Sequence, residues 1–174
     1  MARDTQASIL KRIKDQEIKF LRLQFCDIQG QPKNVAIPAI QAEKALSQGI
    51  YFDGSSIEGF ARIEESDMLL KPDPATFSVL PWRPASSKVA RMICDVYTYD
   101  DKPYIGDPRY ILKRILDEAK RMGFVFNTGP ELEFFLFKMM DGNPTIIPQD
   151  AGAYFDFAPI DLAENVRRDI VQAL

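Results

Sequence analysis

Residues 21–37, LRLQFCDIQGQPKNVAI, carry the pattern that decides the fold class. Apolar side chains recur at every second position from Leu21 to Phe25, which is typical of a strand with one buried face. The sequence DIQG at residues 27–30 predicts a hairpin turn, so the chain should return as a second strand over residues 33–37. We therefore expect a sheet to begin with this hairpin.

Two helices and three further strands are predicted in the rest of the first hundred residues. An amphipathic helix capped by Asp4 or Thr5 should run to Asp15, and a second helix should be stopped by Gly49. The further strands are expected at residues 68–71, 77–81 and 89–97. Strands mixed with helices in this order predict an α+β fold, in which one helix packs on a sheet.

The polar segment DDKP is interpreted as a domain boundary. It divides the chain into residues 1–103 and residues 104–174. Near the end, Asp161 and Glu164 predict the capped start of a last helix. The second region then holds a long helix, two or three strands and a helix without a stop signal. These elements are hard to close into a core, so we expect the chain to be truncated inside its second domain.

Composition excludes several classes of function. The 174 residues are 46% hydrophobic with a net charge of -3, which argues against a nucleic-acid-binding surface. No apolar stretch approaches the roughly 20 residues needed to span a bilayer, so no membrane partner is expected. Cys26 and Cys94 are predicted to be reduced core thiols of a cytoplasmic protein. Because the chain contains no histidine, its chemistry must rest on carboxylates, hydroxyls, Arg and Lys, or on residues that the chain does not contain.

The run GPELEFFLF, residues 129–137, predicts a second kind of strand, one that carries acidic residues in an apolar setting. Residues two apart share a face of a strand, so Glu131 and Glu133 should project side by side. Two such carboxylates need protons, cationic partners or a metal. A hard divalent ion such as Mg²⁺ or Mn²⁺ fits that need. The alternative is a strand whose polar face meets solvent.

The run YFDGSSIEGF, residues 51–60, predicts a loop, because Gly, Asp and Ser all favour turns. Asp53 offers a carboxylate that could bind a cation or accept a proton, with the hydroxyls of two serines beside it. The alternative is a surface Ω-loop without a chemical role.

Several of these segments occur in the order found in type I glutamine synthetases, and the resemblance extends from about Ile18 to Leu174. It implies a β-grasp amino-terminal domain followed by the opening of the catalytic domain. The matching pieces are Phe52-Asp53-Gly54-Ser55-Ser56, Glu65-Ser66-Asp67-Met68, Asp73-Pro74-Ala75-Thr76-Phe77, Leu80-Pro81-Trp82, Cys94-Asp95-Val96-Tyr97, Asp107-Pro108-Arg109 and Gly129-Pro130-Glu131-Leu132-Glu133-Phe134-Phe135.

The resemblance also implies an activity and the residues that carry it. The family joins ammonia to L-glutamate at the expense of ATP, through a γ-glutamyl phosphate. Glu131 and Glu133 would each ligate one of two Mg²⁺ or Mn²⁺ ions. Asp53, accompanied by Ser56, would help to bind ammonium and accept its proton. Arg62 would take part in feedback inhibition by glutamine, as in the alpha subtype; the alternative is a surface arginine paired with a neighbouring glutamate.

Assembly is implied as well. Type I enzymes are dodecamers of two stacked six-membered rings, in which the loop carrying Asp53 reaches the active site of the adjacent subunit. The remaining metal ligands and the phosphate-binding arginines belong beyond Leu174, so the 174-residue chain alone is expected to be inactive. Two alternatives remain: a non-catalytic assembly or binding module derived from such an enzyme, and a related γ-glutamyl ligase that uses another amine.

Overall fold

The computed structural model describes residues 5–57 and 67–174, the side chain of Ala85 excepted. Contacts between residues divide the chain into two compact units, Met1–Phe126 and Asn127–Leu174, which we call the first and second units. The predicted domain boundary after residue 103 stays a prediction, because a unit of contacts need not coincide with a domain of a family. None of the helices in the described ranges is long and apolar enough to cross a membrane.

The first unit is a mixed sheet with helices, in agreement with the predicted α+β class. Short 3₁₀ turns connect several of its elements, at Ala39–Gln41, Gly54–Ser56, Pro74–Thr76 and Ala85–Ser87. The regular elements are, in chain order, α1 (Gln6–Asp15), β1 (Phe20–Cys26), β2 (Pro32–Pro38), α2 (Ala42–Gln48), β3 (Ile50–Asp53), β4 (Asp67–Pro72), β5 (Ser78–Val79), β6 (Val89–Thr98) and α3 (Pro108–Arg121).

The described strands of the first unit lie in the order β2-β1-β6-β4-β3, with β5 also pairing with β6. The predicted β1–β2 hairpin is present, and in its register Leu21 lies opposite Ile37. The ten-residue β6 organises the sheet: its first half pairs with β1 in parallel and its second half with β4 in antiparallel. Strand β3 pairs with β4 and with no other described strand, so it lies at an edge.

Burial in the sheet follows the alternation that the sequence shows. Leu21, Leu23 and Phe25 are buried on one face of β1 and join a core to which β4, β6 and helices α1 and α2 contribute. Cys94, on β6, is fully buried as predicted. Cys26 is exposed, so its prediction as a core thiol is wrong. Cys26 is the last residue of β1, beside the turn, and it alternates with the buried residues Leu21, Leu23 and Phe25, so it lies on the other face of the strand.

The helix ends follow the local signals. Thr5 caps α1 through a capping box with Ser8, and Gly49 lies at the end of α2 with φ +79°. At Gly49 a side chain would meet two obstacles, because an added Cβ would lie 2.7 Å from the carbonyl oxygen of Leu70 and 2.7 Å from a methyl carbon of Leu69. This glycine therefore allows α2 to pass directly into β3.

The second unit contains a short hairpin and a helix. Its elements are β7 (Phe137–Met140), β8 (Asn143–Pro148) and α4 (Glu164–Ala173), and the two strands pair with each other around the predicted turn at Asp141-Gly142. No described residue of α4 is buried. Several aromatic side chains of this unit are more than half exposed: Phe134, Phe135, Tyr154, Phe155 and Phe157.

Two predictions for this region are wrong. The expected strand over residues 129–137 is absent up to Leu136, and regular strand begins only at Phe137. A strand needs a hydrogen-bonded neighbour, and no described strand pairs with residues 129–136. The last helix begins at Glu164 rather than after Asp161, whose carboxylate instead accepts hydrogen bonds from the backbone of Ala163 and from Arg167.

We expect Gly49→Ala to lower the free energy of unfolding by at least about 3 kcal/mol, from backbone strain and from overlap with Leu70. The control is Gly30→Ala. Gly30 has the same φ of +79° but nothing within 4 Å of an added Cβ, so it should lose only about 1–2 kcal/mol. Urea unfolding of both variants measures the difference. Equal losses would show that the close approach at Gly49 is not tight.

Candidate functional site

Asp53 lies at the last position of the edge strand β3, where the chain leaves the sheet. Its side chain is exposed and caps the 3₁₀ turn Gly54–Ser56. The pattern of residues 51–60 predicts a loop, whereas residues 51–53 continue β3. The carboxylate is therefore fixed to the sheet through its own strand rather than held on a free loop.

Hydrogen bonds from two serines hold the Asp53 carboxylate. One oxygen accepts from the hydroxyl of Ser55 at 2.6 Å and from the backbone N–H of Ser55 at 2.9 Å. The other accepts from the hydroxyl of Ser56 at 3.1 Å. The two bonds from Ser55, assisted by Ser56, lower the pKa of Asp53 below its usual value. The group is thus kept ionised, with its exposed side open to a cation.

Apolar residues on either side anchor this turn to the core. Phe52 packs against the ring of Phe25, with ring centroids 5.0 Å apart. Ile57 also packs on the core, and its backbone N–H donates to the carbonyl of Gly54 at 3.0 Å. Alternation thus places Phe52 inward and Asp53 outward, which gives an exposed carboxylate on a rigid base.

Glu131 and Glu133 lie in the second unit and are both exposed. The residues around them have no regular secondary structure, so the face shared by two strand residues is not formed there. Among the described residues, no group of three or more Asp, Glu, Cys or His side chains is placed to hold a metal ion. Carboxylates are the right donors for Mg²⁺ or Mn²⁺, but two fall well short of about six oxygen ligands.

The structure brings together part of the predicted site. Asp53 and Ser56 form one cluster in the first unit, to which Ser55 must be added. Arg62, the predicted regulatory residue, lies outside the described residues. The roles of these residues and of Glu131 and Glu133 therefore stay predictions.

One charged cluster was not foreseen. Arg109, in the first turn of α3, contacts Asp73 at 2.6 Å and Asp95 at 2.5 Å, and Lys113 also contacts Asp95. Beside it, Asp107 caps α3 and is 1% exposed. An N-cap residue followed by proline, as in Asp107-Pro108, is a sequence signal for the start of a helix. The sequence carried no sign that Arg109 would contact both Asp95 on β6 and Asp73 in the turn after β4.

Comparison with known proteins gives two family matches. The model described as glutamine synthetase, β-grasp domain, matches residues 17–99, and the model described as glutamine synthetase, catalytic domain, matches residues 105–174. Together the two matches cover most of the chain, and the β-grasp match precedes the catalytic-domain match. The β-grasp description agrees with the mixed sheet of the first unit.

Individual relatives give the same result. The chain is 57% identical to a glutamine synthetase of Methanosarcina mazei over 98% of its length and 54% identical to one of Clostridium saccharobutylicum over 100%. It spans only 38% and 40% of the length of these curated relatives. A solved structure described as a GmaS/ADP complex matches 65% of this chain and 25% of its own, with a TM-score of 0.59 and 26% identity.

We expect Ser55→Ala to raise the pKa of Asp53, because it removes the shorter of the two hydrogen bonds that Ser55 donates. Carboxyl carbon chemical shifts followed by NMR against pH measure this. The pKa of Asp53 is lower in the folded chain than in the unfolded chain, so its ionised carboxylate stabilises the fold fully at pH values above the unfolded pKa. This stabilisation is lost as pH falls through the folded pKa. The variant has a higher folded pKa and should lose the stabilisation at higher pH. An unchanged midpoint in Ser55→Ala would show that the hydroxyl does not hold the carboxylate.

Proposed function

The chain belongs to the glutamine synthetase family, and from that premise we propose that it forms the amino-terminal part of a cytoplasmic, ATP-dependent glutamate–ammonia ligase of type I. The observation that carries the proposal is the ionised Asp53 carboxylate, held by serines at the end of β3, in a chain that both family models match. The proposed domains are residues 1–103, with the β-grasp sheet, and residues 104–174, the start of the catalytic domain. The family matches at residues 17–99 and 105–174 support this division.

Asp53 is proposed to bind ammonium and to accept its proton. An ionised carboxylate attracts the cation, and loss of a proton leaves neutral ammonia, the form that attacks a carbonyl carbon. The hydroxyl of Ser56 stays beside the same carboxylate and can orient it. A carboxylate substrate also needs activation, because its oxygen leaves only after phosphorylation, so ATP and L-glutamate are the proposed co-substrates. The similarity to a structure described as a GmaS/ADP complex supports a nucleotide.

Glu131 and Glu133 are proposed as two of the ligands of a pair of Mg²⁺ or Mn²⁺ ions. When bound, such ions neutralise phosphate charge and position the transferring phosphoryl group. The exposed side chains of both glutamates suit a site whose other ligands come from elsewhere. We propose a dodecamer with the active site shared between adjacent subunits, so that Asp53 and the glutamate pair of one site belong to different chains.

A chimera tests the function. The aligned segment of the Methanosarcina mazei synthetase, 57% identical to this chain, is replaced by residues 1–174, and ATP-dependent glutamine formation is measured. We expect turnover close to that of the parent, which Asp53→Ala or Glu133→Ala should nearly abolish. Asp15→Ala, which removes an exposed carboxylate paired with Lys11, is the matched control and should retain activity. An assembled chimera without turnover would favour a non-catalytic assembly module.

Sharing of the site predicts complementation. Chimeras with Asp53→Ala and with Glu133→Ala should each be nearly inactive alone. Co-expressed in equal amounts, random assortment around the ring leaves about one site in four with both groups intact, so the hybrids should recover roughly a quarter of the unsubstituted rate. The measurement is turnover of purified hybrids carrying two affinity tags. Hybrids as inactive as their parents would place both groups on one subunit.

Arg62 is proposed to act in feedback inhibition by glutamine. In the chimera, Arg62→Ala should relieve that inhibition while turnover without glutamine is unchanged, because no step of the proposed chemistry uses this side chain. Inhibition curves with increasing glutamine measure it, and Arg62→Lys shows whether a positive charge alone suffices. Inhibition equal to that of the unsubstituted chimera would show Arg62 to be a surface charge.

A further inference from the structure

We propose that Asp73, Asp95, Arg109 and Lys113 form a charged lock that fastens the start of helix α3 to the face of the β-grasp sheet that carries Asp95. We call these four residues the α3 lock. Helix α3 lies within the segment matched by the catalytic-domain model, whereas Asp73 and Asp95 lie within the β-grasp match. The lock therefore makes the first catalytic-domain helix part of the first unit.

The geometry of the lock requires an arginine. Asp73 directly follows β4, and its backbone N–H donates to the carbonyl of Ile93 on β6 at 2.8 Å. One guanidinium nitrogen of Arg109 contacts Asp73 at 2.6 Å and another contacts Asp95 at 2.5 Å. A planar guanidinium can reach two carboxylates on different segments of the chain at once, which a lysine ammonium does less well. Lys113, one turn along α3, adds a second cation to Asp95, at 2.7 Å.

Partial burial makes these contacts stronger than ordinary surface ion pairs. The side chains of Asp73, Asp95 and Arg109 are 27%, 22% and 23% exposed. Burial alone would raise the pKa of Asp73, but the hydrogen bonds from Arg109 and from the N–H of Ala75 lower it. Two cations face two carboxylates, so the lock is balanced in charge, and low solvent access limits screening by salt.

Asp107 completes the attachment through the backbone. One of its oxygens accepts from the N–H of Arg109 at 2.9 Å and so caps α3. The other accepts from the N–H of Val96, within β6, at 3.0 Å. The start of α3 is thus hydrogen-bonded to the same strand that carries Asp95.

Apolar packing contributes only weakly to holding α3 in place. No residue of the helix is buried, and Ile111, Leu112 and Ile115 on its apolar stripe are 46%, 55% and 63% exposed. The stabilisation that usually attaches an amphipathic helix is therefore small here. The charged groups of the first two turns must supply the attachment, and loss of Arg109 should release the helix.

Cys94 reports on the core rather than on the lock, because neighbouring strand residues point to opposite faces and Cys94 belongs to the core cluster that includes Ile9 of α1 and Ala42 of α2. It lies next to Asp95 on β6, opposite Pro72 on β4, and is fully buried. Burial raises the pKa of its thiol well above the usual range, so it is protonated and unreactive while the unit is closed. Cys26 is exposed and would react at once. In a Cys26→Ser background, the reaction of the full chain with an aromatic disulfide reagent therefore measures opening of the core, separately from release of α3.

We expect Arg109→Met to accelerate hydrogen exchange of the α3 amides at least about tenfold in the absence of denaturant, while the rate of Cys94 modification changes little. Arg109→Lys should fall between this variant and the background, because one ammonium cannot hold both carboxylates. Lys113→Met should have a smaller effect, since Arg109 still binds Asp95. Arg121→Met is the matched control, because it removes an exposed pair with Glu118 on the same helix, and it should leave the exchange rate unchanged.

Hydrogen exchange separates local opening from general loss of stability. In Arg109→Met, the amides of α3 and the end of β6 should lose protection while those of the β1–β2 hairpin keep it. If Arg109→Met does not fold, the variants Asp73→Asn and Asp95→Asn replace it, because each removes one of the two carboxylates that Arg109 contacts. Cys94 modification and hydrogen exchange are then measured on these variants. An exchange rate of the α3 amides equal to the background, equal acceleration by Arg121→Met, or loss of protection across the whole first unit together with faster Cys94 modification would overturn the proposal.

Discussion

Backbone pairing along β6 is the constraint on which the first unit depends. Its first half bonds to β1 and β5, its second half bonds to β4, and the N–H of Val96 bonds to the carboxylate of Asp107. The position of β4 in turn fixes β3, and β3 ends at Asp53. The candidate ammonium ligand and the start of α3 are thus both placed by one buried strand.

The local parts of this arrangement could be predicted from the sequence because local chemistry decides them. Alternation gave β1 its buried face, the DIQG turn gave the hairpin, and Gly49 marked the end of α2. The β-grasp class came from the resemblance, because the parallel pairing of β1 with β6 joins residues about seventy positions apart. No short pattern encodes that pairing.

The predictions that failed concern contacts between residues that are far apart in the sequence. The segment around Glu131 has the composition of a strand, yet composition supplies no hydrogen-bonding partner, and no described strand provides one. The contacts of Arg109 were missed for the related reason that its two partners lie 36 and 14 positions away. Of the candidate site, the cluster of Asp53 and Ser56 was predictable because its members are neighbours in the chain. For Glu131 and Glu133, the sequence could predict carboxylates that suit a metal, but not how the two side chains are arranged.

The exposed aromatic side chains of the second unit have a consequence for how the chain behaves in a cell. Phe134, Phe135, Phe155 and Phe157 stand more than half open to water, and no described helix of that unit covers them. Neighbouring apolar surfaces of this kind are what molecular chaperones bind and what drives aggregation at high concentration. The second unit is therefore the segment at which quality control would recognise this polypeptide before its surface is covered.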